Sequence, residues 1–199
     1  MKIDLAKTDK HYYGARRDPA LRTFDAYDYV TVTGSGAPGG QAYTDAVAGL
    51  YRAAYGAAKI AKTIGQDFVV PKLEGQWWVE SDEPALSVPR DQWHWKLMIR
   101  MPDVVTADMV TGAIFESLTE GEAIQALHLG PYSTEPETLA RMEAFMTTEG
   151  LAMNGRHHEI YLSDPRRAPA ATTKTILRHP VRRIRDRALP AGAHQVLPT

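Results

Sequence analysis

Twice along this chain the residue pattern runs strand, helix, strand, strand, and that recurrence limits the possible folds more than any other feature. In the first unit, Tyr29-Val-Thr-Val-Thr33 alternates as a half-buried strand does. Gly34-Ser-Gly-Ala-Pro-Gly-Gly40 breaks it. A helix is expected from Gln41 to Ile64, because Tyr43, Ala46, Val47, Leu50, Ala54, Ala57, Ala61 and Ile64 recur three or four apart and Gly65 follows. Two β segments come next, Gly75–Ser81 and Trp93–Met101, separated by an Asp-, Glu- and Pro-rich loop too long for a tight turn. In the second unit, Ala123–Leu129 reads as a strand, Glu135–Glu149 as a helix, and His158–Ser163 and Lys174–Arg182 as strands. Between the units, a linking helix is expected over 104–118 with Thr106 as its N-cap.

The repeat is one of element order, not of sequence. It predicts an α+β fold of duplicated strand-helix-strand-strand modules, 28–101 and 122–184. Their strands pair into an antiparallel sheet with helices on one face and a ligand cleft on the other. Residues 1–27 are polar and broken by Gly14 and Pro19, so they read as an irregular arm; 185–199 reads as a loose tail.

All four tryptophans of the 199 residues lie within 19 positions, as Trp77-Trp78 and Trp93-His-Trp95. Such strands make a heavy core or an aromatic wall for a flat ligand. Strict alternation sends Trp93, Trp95, Leu97, Ile99 and Met101 to one face, and it splits Trp77 from Trp78. On the last β segments, Ile160 and Leu162 are expected to meet the helices. His157, Glu159, Tyr161 and Ser163 are then expected in the cleft, together with Tyr29, Thr31 and Thr33. A carboxylate among tyrosines is costly to bury unless a cation, a water or a hydroxyl meets it. Glu74 reads equally as a strand-entry surface residue or a second cleft carboxylate.

Several functions are disfavoured. With 23 basic and 24 acidic residues the net charge is −1, which draws the chain to neither nucleic acid nor membrane. The cluster Arg178, Arg182, Arg183, Arg185 and Arg187 reads as a solvated last strand and tail. No cysteine is present, so thiolate chemistry and zinc fingers are out. No GxSxG elbow occurs. In His157-His158-Glu159 a strand turns His158 away from its neighbours, leaving one His and one carboxylate on a side, and no HExxH occurs, which argues against a metal. Gly34-Ser-Gly36-Ala-Pro-Gly39 matches GxGxxG, but no acidic strand end follows about 20 residues on. No run of about 18 apolar residues occurs, and Met1–Lys10 lacks the apolar core of a signal peptide, so a cytoplasmic protein is expected.

Four segments carry a resemblance: Pro71-Lys-Leu-Glu-Gly-Gln-Trp-Trp-Val79, Trp93-His-Trp-Lys-Leu-Met-Ile-Arg-Met-Pro-Asp103, His128-Leu-Gly-Pro-Tyr132 and His158-Glu-Ile-Tyr-Leu-Ser-Asp-Pro165. Over residues 20–184 the chain resembles stand-alone GyrI-like small-molecule-binding domains. The Glu-Gly-x-Trp-Trp and Trp-His-Trp-Lys pieces look like a narrower branch that includes hydrolases of cyclopropane-bearing DNA alkylators of the yatakemycin and duocarmycin kind. That resemblance implies a cleft for a hydrophobic, planar small molecule, with Glu159 in the place of the family's late-strand glutamate and Tyr132 in that of its tyrosine after Gly-Pro. It implies Glu159 as the residue that activates water, with Glu74 as second choice, and Tyr132 or Lys96 as donor to a developing oxyanion. Trp77, Trp78, Trp95, Tyr29, Tyr161, Lys96 and His157 would line the site, with no cofactor. The other readings are a non-catalytic binder that sequesters hydrophobic or cationic drugs, and a gyrase-inhibitor-like interaction module. The last needs an acidic surface, which the balanced charge does not supply.

Overall fold

The computed structural model describes residues 2–164 and 168–184. In chain order the elements are α1 (Leu5–Thr8), α2 (Lys10–Tyr13), β1 (Ala20–Ser35), α3 (Gln41–Thr63), β2 (Leu73–Trp78), β3 (His94–Arg100), β4 (Ile114–Leu129), α4 (Glu135–Glu149), β5 (Leu151–Met153), β6 (His157–Tyr161) and β7 (Lys174–Arg183), with single 3₁₀ turns between some of them. Every strand pairing is antiparallel. The order is β4-β1-β3-β2-β6-β7-β5, and β4 also pairs β7, so the sheet closes on itself. The fold is α+β, as the repeated element order implies.

The two long helices, α3 and α4, lie outside this ring. Leu50, Ala54, Ala57 and Ala61 of α3 pack with Val30, Trp77, Trp95, Leu97 and Ile99. Met142 of α4 packs with Ile124, Ala126, Leu151 and Leu177. Gly150, at φ 63, ends α4 in the left-handed conformation, and its N–H meets the Met146 and Thr147 carbonyls. Inside the ring, Tyr29, Met98, Ala123, Ile160 and Ile176 form a separate core.

Gly121 is what lets the long strands serve both halves. Its φ of 65 interrupts the alternation in β4. Glu120 and Ala123, an odd number of residues apart, therefore both turn inward: one bonds His158 and the other joins the inner core.

Two expectations fail here. The linking helix over 104–118 does not form: Ala107–Met109 is one 3₁₀ turn, Gly112 takes φ 79, and β4 begins at Ile114. A residue in the left-handed conformation cannot continue a helix. Nor is the stretch before Asp28 an irregular arm. Asp4 and Asp9 accept hydrogen bonds from the Lys7 and Tyr12 amides as N-caps of α1 and α2, and β1 starts at Ala20. Tyr12 and Tyr13 are buried and close the inner core. The expected tail, 185–199, lies outside the described residues.

Candidate functional site

Residues directly opposite in an antiparallel ladder share a face. In β6, Glu159 lies opposite Gly75 of β2 and Leu177 of β7, and His157 opposite Trp77. Trp77 belongs to the α3 core and Leu177 to the α4 core. Glu159, His157 and Tyr161 therefore sit on the helix side of the sheet, in the seam between the two helices. The expected cleft on the opposite face is corrected: that face is the filled interior of the ring, and Ile160 points into it instead of meeting the helices.

The seam is an aromatic cage. Tyr43 of α3 stacks over Trp77, with centroids 5.9 Å apart and planes at 21°. Trp93 meets Trp77 edge-on at 6.2 Å, and Tyr132 meets Tyr161 edge-on at 6.0 Å. Trp77 donates Nε1–H to the Tyr161 hydroxyl at 3.0 Å, and the phenolic hydrogen of Tyr161 is directed to Glu159. Gly75 permits this approach, because a Cβ there would lie 3.0 Å from Trp77 Nε1 and 3.2 Å from the Tyr161 hydroxyl. Tyr132, 41% exposed, marks the side open to solvent.

Glu159 lies at the floor, its side chain 13% exposed. His157 Nε2 lies 3.0 Å from Glu159 Oε1, and His157 Nδ1 lies 2.8 Å from His179 Nε2. His179 Nδ1 is buried without a partner among the described residues. A bare acceptor is less costly there than a bare donor, so His179 donates from Nε2 to His157, and His157 donates from Nε2 to Glu159. Burial, then the adjoining His157, push His179 down to about 3, which keeps it neutral. This chain holds the carboxylate in one orientation. It also occupies both nitrogens of His157, and no group of three or more metal-binding side chains occurs among the described residues.

The phenols stay protonated. Burial, then the charge of Glu159, raise Tyr43 and Tyr132 to about 12 and Tyr161 well above its ordinary value. A second carboxyl stands beside Glu159. Glu135, the first residue of α4, is 9% exposed, and its Oε1 has no partner among the described residues. Burial, then Glu159, raise it to about 9.

Of the expected site residues, the structure brings together Glu159, His157, Tyr161, Tyr132 and Trp77. Trp95 is sealed beneath α3, its ring flat against Gly34; it lies opposite Trp77 in the β2–β3 ladder and meets Tyr43 edge-on at 5.8 Å. Trp78 stacks on His94 at the other face, under Arg156. Lys96 pairs with Glu116 at 2.8 Å and lies opposite Gln76, on the sheet face away from Glu159. Glu74 and Tyr29 are buried inside the ring, away from the cage.

There Glu74 accepts from Tyr12 and, at 3.0 Å, from His158 Nε2. Tyr12 and Tyr29 share a hydrogen bond of 2.8 Å. His158 Nδ1 donates to Glu120 at 2.9 Å, and Arg178 donates to Glu120, Gln125 and the Tyr12 carbonyl. Arg178 is thus an interior cation and no solvated strand residue.

The residues that sequence alone did not assign to the cage are Tyr43, Trp93, Glu135 and His179. Tyr43 was visible as an aromatic on the apolar stripe of its helix, and Glu135 as an acid three residues after Tyr132. Nothing in the sequence separated them from ordinary core and helix-start residues.

The model of the GyrI-like small molecule binding domain matches residues 17–182. A crystal structure of an uncharacterized conserved protein from Listeria innocua is 37% identical, with a TM-score of 0.85, covering 91% of this chain and all of that one. Two structures described as hydrolases from Listeria innocua are 38% and 36% identical, with TM-scores of 0.82 and 0.79. They cover 92% and 91% of this chain, and 100% of each of those chains is covered. No curated protein matches the chain. Among the described residues, no helix is long and apolar enough to cross a membrane.

Proposed function

Because this chain belongs to the GyrI-like small molecule binding domain family, we propose that it seats a flat, hydrophobic small molecule between α3 and α4 and hydrolyses a strained ring on it. The substrate class is the cyclopropane-bearing DNA alkylator of the yatakemycin and duocarmycin kind, and the outcome is protection from such toxins in the cytoplasm. One observation carries the reading: a carboxylate held in one orientation, Glu159, lies at the floor of a cage of Trp77, Tyr43, Tyr132 and Tyr161. The hydrolase descriptions of two similar Listeria innocua structures support it.

The chemistry follows from the parts. These alkylators carry a cyclopropane fused in spiro fashion to a dienone. Attack on the strained carbon sends the electron pair to the dienone oxygen, giving a phenolate that takes up a proton. The indole and phenol faces clamp the flat rings, so that the strained carbon meets one water. Glu159, fixed by His157, orients that water and takes its proton. The cage phenols, held as O–H donors, meet charge at the far oxygen. Tyr43 stands over Trp77 in this conformation, so a ligand enters by parting those two rings.

The test is Glu159→Gln with a cyclopropanoid probe. Turnover falls by roughly 100-fold or more, while the Kd, read from tryptophan emission, stays within about threefold. Undiminished turnover in that variant removes Glu159 from the mechanism.

A second reading has its own observation. Negative charge behind aromatic faces is the arrangement that holds an organic cation. A binder of that kind retains the probe unchanged at one equivalent. The enzyme releases a water adduct over many turnovers, and a chromatogram separates the two.

A further inference from the structure

We propose that Glu135 is the proton donor of this cage, delivering its proton to the oxygen that gathers charge as the ring opens. The assignment rests on the hydrolytic reading above.

The geometry around Glu135 fits an acid better than an anion. It is the first residue of α4, where the helix dipole favours a carboxylate. Yet its side chain is buried, Oε1 meets no donor, and Glu159 stands beside it. A buried carboxylate with a bare oxygen carries a full desolvation cost. A carboxylic acid in the same place needs only an acceptor, and a ligand oxygen in the cage is one. The other titratable groups around the pair are His157 on β6, bonded to Glu159 and backed by His179 on β7, with Tyr132 before α4, Tyr161 on β6 and Tyr43 on α3. His128 on β4 stands behind the same turn, engaged by Thr138 and the Pro131 carbonyl, and Asp164 lies beyond Tyr132.

Proton affinities favour the same choice. A phenol forms as the ring opens, with an ordinary value near 10. Burial, then the charge of Glu159, raise Glu135 towards that value, whereas burial and Glu159 raise Tyr132 away from it, so Tyr132 gives up its proton less readily. The step balances. The water oxygen bonds to the strained methylene carbon, and the carbon–carbon bond breaks. Its electron pair passes through the dienone to the oxygen, the water proton goes to Glu159, and the Glu135 proton goes to the new phenol. Water has then been added across one bond. A single proton passing from Glu159 to Glu135 restores the pair.

The experiment compares wild type, Glu135→Gln and Glu135→Asp on a spiro-cyclopropyl dienone from pH 6 to 10.5. It also follows the ¹³C carboxyl titration of glutamate-labelled protein. Wild type loses rate above about pH 9 and shows one carboxyl titrating there. Glu135→Gln keeps its KM, loses roughly 100-fold in kcat, loses the alkaline limb and lacks that titration. Glu135→Asp restores part of the rate and a shifted limb. An active wild type matched by Glu135→Gln at every pH, or one with no carboxyl titrating near 9, overturns the role of Glu135 alone. A wild type inert toward the probe overturns the hydrolytic reading, and the acid role with it, even where the titration is present.

Discussion

His158 and Glu159 are neighbours in the chain and belong to different compartments. His158 is fully buried in the ring between Glu74 and Glu120. Burial alone would lower it, but the charge of Glu120 and the bonds to Glu120 and Glu74 raise it to about 9. Its stabilisation is therefore whole below the ordinary 6.5 and is lost as pH rises through 9. Glu120 works in the other direction. Burial opposes its charge, but His158 and Arg178 outweigh that and hold it at about 2, so its contribution is whole above 4.5 and lost as pH falls through 2. Glu135, raised from 4.5 to about 9, adds to the alkaline decline. Urea unfolding of Glu135→Gln at pH 7.5 and pH 9.5, above the 6.5 where the unfolded His179 titrates, leaves chiefly the His158 part, and a loss on the order of 2 kcal/mol is expected. Equal stability at the two pH values would mean that the imidazole is neutral in the fold. Glu159 was legible as a candidate because an acid beside aromatic residues on one strand face stands out. Which side it faced was not, because both faces of β6 are buried and alternation does not say which one meets the helices.

At the scale of elements, close packing explains one glycine and leaves others free. A Cβ on Gly34 would lie 2.4 Å from the ring of Trp95, which is 2% exposed and pinned under α3. Gly34→Ala is expected to cost about 1–3 kcal/mol as an overpacked site. Gly49, inside α3, has nothing within 4 Å of its would-be Cβ, so Gly49→Ala gains about 0.5–1 kcal/mol from helix propensity. Denaturant midpoints that move in the same direction for both variants would contradict this packing. The long helix and α4 were readable from periodicity, since each buries one face along its length, whereas the short strand β5 was not foreseen. The stretch 104–118 was not, because Val110, Ile114 and Leu118 happen to recur at helical spacing while Gly112 turns the backbone. The first helices were hidden for another reason. Tyr12 and Tyr13 look like isolated aromatics until Glu74 and Arg178 are brought to them from more than 60 residues away.

For the molecule as a whole, closure of the sheet creates an inside, and the chain's first residues fill it. Arg100 joins that seal, bonded to Asp9 at 2.7 Å and lying 3.7 Å over Tyr27 and 4.4 Å over Tyr12. Closure also explains why Glu74 could be placed neither at the surface nor in the cleft from sequence. A pairing of β4 with β7 is a long-range event that local pattern does not encode. The two compartments have β6 as their common partition. A guest wedged against Glu159 therefore presses on the strand that carries His158, and through Glu74 on the phenols of Tyr12 and Tyr13. Amide hydrogen exchange at those two tyrosines should slow when the far chamber is occupied; an unchanged rate would reveal a partition too stiff to relay the load.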